Sequence, residues 1–195
     1  MSISSKTKLL TEFGTFDVCY HKNNTGHCIS FSMGDLTNGV PFVRIHSSCL
    51  FSEAFHSIDC DCNLQLSNSM KLISEKHKGV IIYLYQEGRG HGLDKKIKAL
   101  EIMRIKKVDT VKAFNILGFS LDPRNYKSAI NALGDLNISK TINLITNNPR
   151  KEIQVSKAGF NIKKLIQLDF SINHICKKYL ISKRDKLGHK IKFKK

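Results

Sequence analysis

Apolar positions along this chain follow two rhythms. Between residues 12 and 46 they alternate in short runs, EFGTFDVCYH, HCISFSM and PFVRIH, rich in Phe, Val and Ile and separated by the turn-forming NNTG and DLTNG. Alternation bounded by such turns predicts three strands. The period then lengthens. Leu66, Met70 and Ile73 recur at helical spacing and predict a helix over 64–77, ended by Lys78-Gly79. GVIIYLYQ follows as an unbroken apolar run, the mark of a strand buried on both faces. Ile97, Leu100 and Met103 predict a second helix, and Tyr126, Ile130, Leu133 and Leu136 a third. TINLIT is a short buried strand, NNPRKEIQVSKAG a turn into a helix, and FNIKKLIQL a last strand. Strands that alternate with helices in the second half imply an α/β fold, a single domain with a mixed β-sheet flanked by helices. No repeat and no linker interrupts it.

Composition narrows the class. A chain of 195 residues, 41% hydrophobic, is ordinary for one globular domain. No apolar run is long enough to span a bilayer, and MSISSKTKLL lacks the apolar stretch of a secretory signal. The expected location is therefore cytoplasmic, with reduced thiols. The net charge of +16 attracts polyanions, whether nucleic acid or a nucleoside triphosphate. Much of it is diffuse: the last fifteen residues, ISKRDKLGHKIKFKK, hold seven Lys or Arg and one Asp, and read as a solvated or disordered basic tail over 181–195 behind a domain of residues 1–180. No motif of nucleic-acid recognition accompanies the charge.

Chemistry concentrates in RIHSSCLFSEAFHSIDCDCNLQL. Ten residues separate Cys49 from Cys60 and one separates Cys60 from Cys62. Two thiolates that close can grip one metal ion, and the third can fold back onto it. Three protein ligands leave a tetrahedral zinc with one open position for a water, whose pKa the ion lowers to about 7. His46 or His56 could close that position, so spacing alone leaves a structural and a catalytic zinc open. Cys19, Cys28 and Cys176 have no ligand-like spacing and read as small buried residues. The strand GVIIYLYQ delivers Glu87-Gly88-Arg89-Gly90-His91-Gly92 to its carboxyl end, where α/β sheets commonly bind ligands. Arg89 suits a phosphate there, and Glu87 a base or a metal. TNNPRK also follows a strand, and Pro149 suits a first helical turn, so free amides with Lys151 would make an anion site. Asp122 in LDPRNY reads equally as a helix cap.

Taken together, RIHSSC, CDCNLQL, YQEGRGHGL, DTVKAFNILGFSLDPRNY and LITNNPRK resemble, in order and spacing, the GTP cyclohydrolase II family. The resemblance runs from about residue 9 to residue 190. It implies a homodimeric α/β enzyme of riboflavin biosynthesis that opens the guanine imidazole ring of GTP, loses formate and releases pyrophosphate. Cys49, Cys60 and Cys62 would hold one zinc per chain, which activates the water that attacks C8 of guanine, and magnesium would bridge the triphosphate. Gln65 would read the guanine ring. Arg44, His46 and Ser47, with Glu87, Gly88 and Arg89, would line the nucleotide site, and Thr110, Thr146 and Lys151 would add contacts. Asp122 would be the proton acceptor. Arg124 would be the nucleophile at the α-phosphate, although a guanidinium is better suited to stabilising charge there. Neither a membrane nor a nucleic acid is the expected partner.

Four positions depart from the family's pattern. Ser48 stands where a glutamate is usual, Asn63 where a glycine follows CDC, and His91 where an aliphatic residue is common. Leu100 stands where the family usually has a catalytic tyrosine. Leucine can neither orient a water nor donate to a developing charge, so ring opening could proceed while formate release stalls. His91 could instead replace the missing hydroxyl as an acid or base. Two further expectations stand beside ordinary cyclohydrolase chemistry: a paralogue that stops at the formamidopyrimidine nucleotide or takes another purine nucleotide, and a non-catalytic nucleotide or nucleic-acid binding protein with a structural zinc.

Overall fold

The computed structural model describes residues 2–24, 26–120, 122–168 and 173–191. The chain divides into two compact units: Met1–His46, Leu64–Tyr85 and Tyr126–Asp169 form one, and Ser47–Asn63, Gln86–Asn125 and Phe170–Lys195 the other.

The first unit carries the sheet. Its strands are β1 (Ser2–Thr11), β2 (Gly14–Asn23), β3 (Gly26–Met33), β4 (Phe42–Ser47), β5 (Gly79–Leu84), β6 (Thr141–Ile145) and β7 (Asn161–Ile166), in the order β1-β2-β3-β5-β4-β6-β7. β1, β2, β3 and β5 pair antiparallel, while β4, β6 and β7 pair parallel, which makes the sheet mixed as expected. The continuous apolar run of β5 is explained by two cores. Val80, Ile82 and Leu84 join Cys28, Val43, Ala129, Leu133 and Leu144 in one cluster, and Ile81 joins Phe16 and Ile73 in the other. Helix α2 (Cys62–Lys76) contributes Ile73, Leu66 and Met70 to the second cluster. Helix α5 (Lys127–Asp135) contributes Ala129, Ala132 and Leu133 to the first. Helix α6 (Pro149–Lys157) adds Val155. A polar network joins the sheet to α5. His21 is wholly buried, with Nε2 2.9 Å from Ser30 Oγ and Nδ1 3.2 Å from Asp135 Oδ2. Ser30 is 0% exposed, so the trio serves packing and not hydrolysis of a solvent-borne substrate.

The second unit holds helix α1 (Leu50–Glu53), a tight 3₁₀ turn (Glu87–Gly90), α3 (Leu93–Lys106), α4 (Thr110–Ile116) and α7 (His174–Leu187). Ala99, Ala113 and Phe114 form its core, with Ile102, Met103, Val108, Leu117 and Phe119 packed around them.

Besides the short α1, three elements lie outside the reading of the sequence. β1 is exposed along almost its whole length and carries no apolar alternation, so only its backbone pairing with β2 makes it a strand. α4 is seven residues long, too short to show a period. α7 begins within the expected domain and continues into the expected basic tail. It spans His174–Leu187 and so crosses residue 180, with Cys176, Leu180 and Ser182 buried; Lys183 pairs with Asp61 and Lys186 with Asp109, while most of residues 181–191 are exposed. Residues 192–195 of that tail lie outside the described residues. No helix among the described residues is long and apolar enough to cross a membrane.

Candidate functional site

Cys49 precedes α1, whose amides Ser52 and Glu53 donate to the Cys49 carbonyl, and the chain then returns to place Cys60 and Cys62 opposite it. The three sulfurs lie within 4.8 Å of one another, and among the described residues the cluster takes in no histidine or carboxylate. Cys49 and Cys60 are 3.7 Å apart at sulfur. Cys60 loses its proton most readily, because Cys49 and Cys62 both donate to it. Cys49 and Cys62 are pushed up in turn, by that same sharing and by burial. One ionised thiol flanked by two held back is the charge a soft cation would compensate, and sulfur donors at this spacing fit zinc.

The EGRG turn closes in around this cluster. Gly88 and Arg89 take consecutive left-handed conformations, φ 57° and 61°. A Cβ on Gly88 would come within 3.0 Å of Lys96 Cβ, so the turn needs glycine both for its backbone and for its approach to α3. Glu87 does not point freely outward. Its Oε2 accepts from the Leu50 amide at 2.7 Å, and its Oε1 accepts from Lys96 Nζ at 2.7 Å and from the Gly88 amide at 3.1 Å. Lys96 Nζ also donates to Cys49 Sγ at 3.2 Å. Burial works against the Lys96 ammonium, but Glu87 and Cys49 outweigh it and hold the proton more tightly than in an ordinary lysine.

Arg89 lies with its guanidinium 5.6 Å from the centre of the Phe114 ring. Both terminal nitrogens are buried, and neither has a hydrogen-bond partner among the described residues; Ser47 Oγ is in the same condition. Buried donors without partners are uncommon and point to a ligand that would satisfy them. Arg124 is the opposite case. Its Nε and Nη2 donate to Asp122 Oδ1 and Oδ2 at 2.7 and 2.8 Å, and its amide donates to Oδ1 at 3.3 Å. Asp122 therefore grips the arginine two residues on, and the residue at the N-cap of α5 is Tyr126.

The departing positions fall in the same unit. His91 packs its ring 5.3 Å from both Phe114 and Phe119, and its Nε2 donates to the Ser120 carbonyl at 2.8 Å. Any acid–base role for His91 would therefore use Nδ1. Asn63 donates its amide to Ser52 Oγ at 3.1 Å. Ser48 directly precedes the first ligand. Leu100 is half-buried on α3, four residues after Lys96 and so on the same helix face. Thr110 is buried at the start of α4, behind the cap Asp109.

The other expected residues belong to the sheet unit. Arg44 and His46 are buried on β4, with Arg44 Nε donating to His46 Nδ1 at 3.2 Å and Arg44 Nη1 to the Ile145 carbonyl at 3.4 Å. His46 stacks on Tyr83, ring centres 5.7 Å apart. Thr146 Oγ1 accepts from the Asn148 amide at 3.0 Å, and Asn148 caps α6 through the Arg150 amide, with Pro149 at the first turn as expected. Lys151 is buried and donates to the Ile45 carbonyl at 2.7 Å, 5.4 Å from the Tyr126 ring centre. Gln65 is buried near the start of α2. Arg44, His46, Thr146 and Lys151 thus gather at the carboxyl ends of the parallel strands β4 and β6.

A sequence profile for GTP cyclohydrolase II matches residues 2–167. The chain belongs to the GTP cyclohydrolase II family. Among its relatives, the GTP cyclohydrolase-2 of Haemophilus influenzae is 37% identical over 195 residues, 98% of this chain and 89% of that protein. The riboflavin biosynthesis protein RibBA of Staphylococcus saprophyticus is 40% identical over 193 residues, 98% of this chain and 48% of that protein. The RibBA of Endomicrobium trichonymphae is 43% identical over 150 residues, 77% of this chain and 37% of that protein. The chain thus spans half the length or less of these RibBA relatives. Among solved structures, RibBX, a two domain 3,4-dihydroxy-2-butanone 4-phosphate synthase from A. baumannii, aligns at a TM-score of 0.45 and 15% identity, over 86% of this chain and 39% of that one.

Beside the thiol cluster, two lysines and an aspartate escaped the reading of the sequence. Lys96 touches a candidate ligand, and Lys183 pairs with Asp61 between Cys60 and Cys62. In a chain with 32 Lys and Arg, no local signal sets these two apart.

Proposed function

We propose that this chain is a zinc-dependent hydrolase that opens the guanine imidazole ring of GTP, with release of pyrophosphate and formate, and that it serves riboflavin biosynthesis as the names of its relatives describe for them. The observation that carries the reading is the convergence of three sulfurs, a cluster that among the described residues takes in no histidine or carboxylate. Three protein ligands are the pattern of catalytic zinc, whereas structural zinc is closed by four. When bound, zinc would supply a Lewis acid and a water ionised near neutral pH.

The chain's own residues do the rest. The buried, unpartnered Arg89 nitrogens suit phosphate oxygens, which a guanidinium binds through two parallel hydrogen bonds. Asp122 holds Arg124 in a fixed orientation, so Arg124 stabilises developing charge on the α-phosphoryl group, and its permanent protonation argues against a nucleophilic role. Arg44, His46, Thr146 and Lys151 contribute further nucleotide contacts, and Gln65 contacts the base. Magnesium accompanies the triphosphate, whose hard oxygens are its natural ligands. The working form is a cytoplasmic homodimer.

A second reading is favoured by one observation. Leu100 shares the helix face of Lys96, which itself reaches Cys49, and it brings no hydroxyl to that face. Formate release would then stall, and the product would keep its formyl group.

Mass spectrometry of the products after incubating zinc-loaded protein with GTP and magnesium tests both readings. Formate with a diaminopyrimidine phosphate supports the first. A ring-opened product that retains the formyl group, and loses it in Leu100→Tyr, supports the second. Unchanged GTP overturns both.

A further inference from the structure

Two lysine–carboxylate pairs flank the thiol cluster. On one side Lys96 Nζ lies 3.2 Å from Cys49 Sγ and 2.7 Å from Glu87 Oε1, with the Phe51 ring centre 4.8 Å away. Its side chain is only 17% exposed. On the other side Lys183, from α7, lies 3.0 Å from Asp61 Oδ1 and 4.3 Å from the Tyr179 ring centre, with 16% of its side chain exposed and 6% of that of Asp61. Asp61 stands between Cys60 and Cys62 in the chain, and Asn173 Nδ2, at the cap of α7, donates to the Ile58 carbonyl at 3.3 Å. α7 is thereby fastened along the segment that carries two of the three sulfurs.

Removing an ammonium from water is costly unless negative charge compensates it. Each carboxylate here balances one lysine. The thiol cluster beside them would add negative charge beyond that balance, since three thiolates around a divalent ion would keep one net negative charge.

We propose that Lys96 and Lys183 are outer cations of the metal–thiolate centre: Lys96 holds Cys49 directly, and Lys183 fixes Cys60 and Cys62 through Asp61. The proposal rests on the metal reading above. It makes part of the basic C-terminal segment a component of the metal site. Lys96 and Lys183 are positioning residues, because they act on the metal through its ligands. Hydrogen bonds and charges behind a ligand set its orientation and donor strength, and their loss typically weakens metal binding about 10–100-fold.

The test is zinc affinity of the purified full-length chain, measured by competition with a chromogenic chelator. Lys96→Met and Lys183→Met are each expected to weaken binding about 10–100-fold, and Lys96→Arg and Lys183→Arg to recover most of it. Lys98→Met on α3, which breaks an ion pair with Asp94, and Lys186→Met on α7, which breaks one with the α4 cap Asp109, are expected to bind zinc like the parent. Cobalt(II) adds a spectroscopic readout: Lys96→Met should shift the sulfur-to-cobalt charge-transfer band, because its partner is a sulfur, while Lys183→Met should leave the band in place. If Lys183→Met does not fold, Lys183→Gln is read in its place. Parent-like affinity in both methionine variants overturns the proposal. Weakening in the control variants as well also overturns it, because the effect would then be general loss of helix stability. A parent protein that binds no zinc overturns the metal reading itself.

Discussion

Replacing Arg89 with methionine is expected to stabilise the ligand-free protein while removing its affinity for nucleotide. Both terminal guanidinium nitrogens are buried without a partner among the described residues. Burying unsatisfied donors costs about 1–3 kcal/mol, and more when they are charged. The Phe114 ring, 5.6 Å from the guanidinium carbon, returns about 1 kcal/mol of that. Methionine fills similar space with no donors, and the left-handed backbone at φ 61° is unchanged by the exchange. The net expectation is a gain of about 1 kcal/mol, a rise of about 2–4 °C in Tm for a chain of this size. The proposed affinity for nucleotide is expected to change in the opposite direction. GTP at a hundred times its Kd should stabilise the parent by about 2.7 kcal/mol, and this increment should vanish in the variant. Thermal denaturation of both proteins, with and without GTP and magnesium, gives all four values. An Arg89→Met protein that melts below the parent without ligand would show that the guanidinium is already satisfied. An undiminished GTP-induced shift would show that Arg89 does not bind phosphate.

His21→Ala should leave Ser30 Oγ and Asp135 without their buried partner and cost about 3 kcal/mol, seen as a lower urea midpoint at neutral pH. The Cys28 thiol is pushed up to about 11, by burial first and by Asp135 second. A raised folded pKa means this contribution is complete below the unfolded thiol's pKa and fades as pH climbs toward 11. Stability should therefore drop by about 2–3 kcal/mol over that window, and Cys28→Ala should flatten the drop in alkaline denaturation curves. Arg124→Met should lower kcat about 100-fold. Asp122→Asn should cost less, and the double variant no more than Arg124→Met alone, since the pair acts as a unit; additive losses in steady-state kinetics would contradict this.

Some of this architecture could be read from local pattern and some could not. β5 announced itself because burial on both faces leaves an unbroken apolar run, and α5 because Leu133 and its neighbours recur at helical spacing. The cysteine triplet was equally plain, because ligand spacing is a local property. β1 was invisible: its side chains are exposed on both faces, so its existence is a fact about β2's backbone. α7 gave no local signal, because Lys183 is made buriable by Asp61, 122 residues earlier in the chain. The grip of Asp122 on Arg124 was missed for a different reason. Asp-Pro predicts a turn equally well whether the carboxylate caps a helix or seizes the arginine beside it.

The exposed β1 also bears on how the protein behaves at high concentration. It stands at the border of the sheet, with Leu9 and Leu10 44% and 79% exposed and nothing paired to its outer side among the described residues. Such a border is a template for further strands. Here a register shift between Ile3 and Ser5 disturbs its regularity, and Lys6 and Lys8 place charge along it. That electrostatic defence has a range set by ionic strength, shrinking from about 30 Å at 0.01 M salt to about 3 Å at 1 M. Colloidal stability should therefore be greatest in dilute buffer. Concentrated salt would favour sheet-to-sheet association through this strand well before the folded core is threatened.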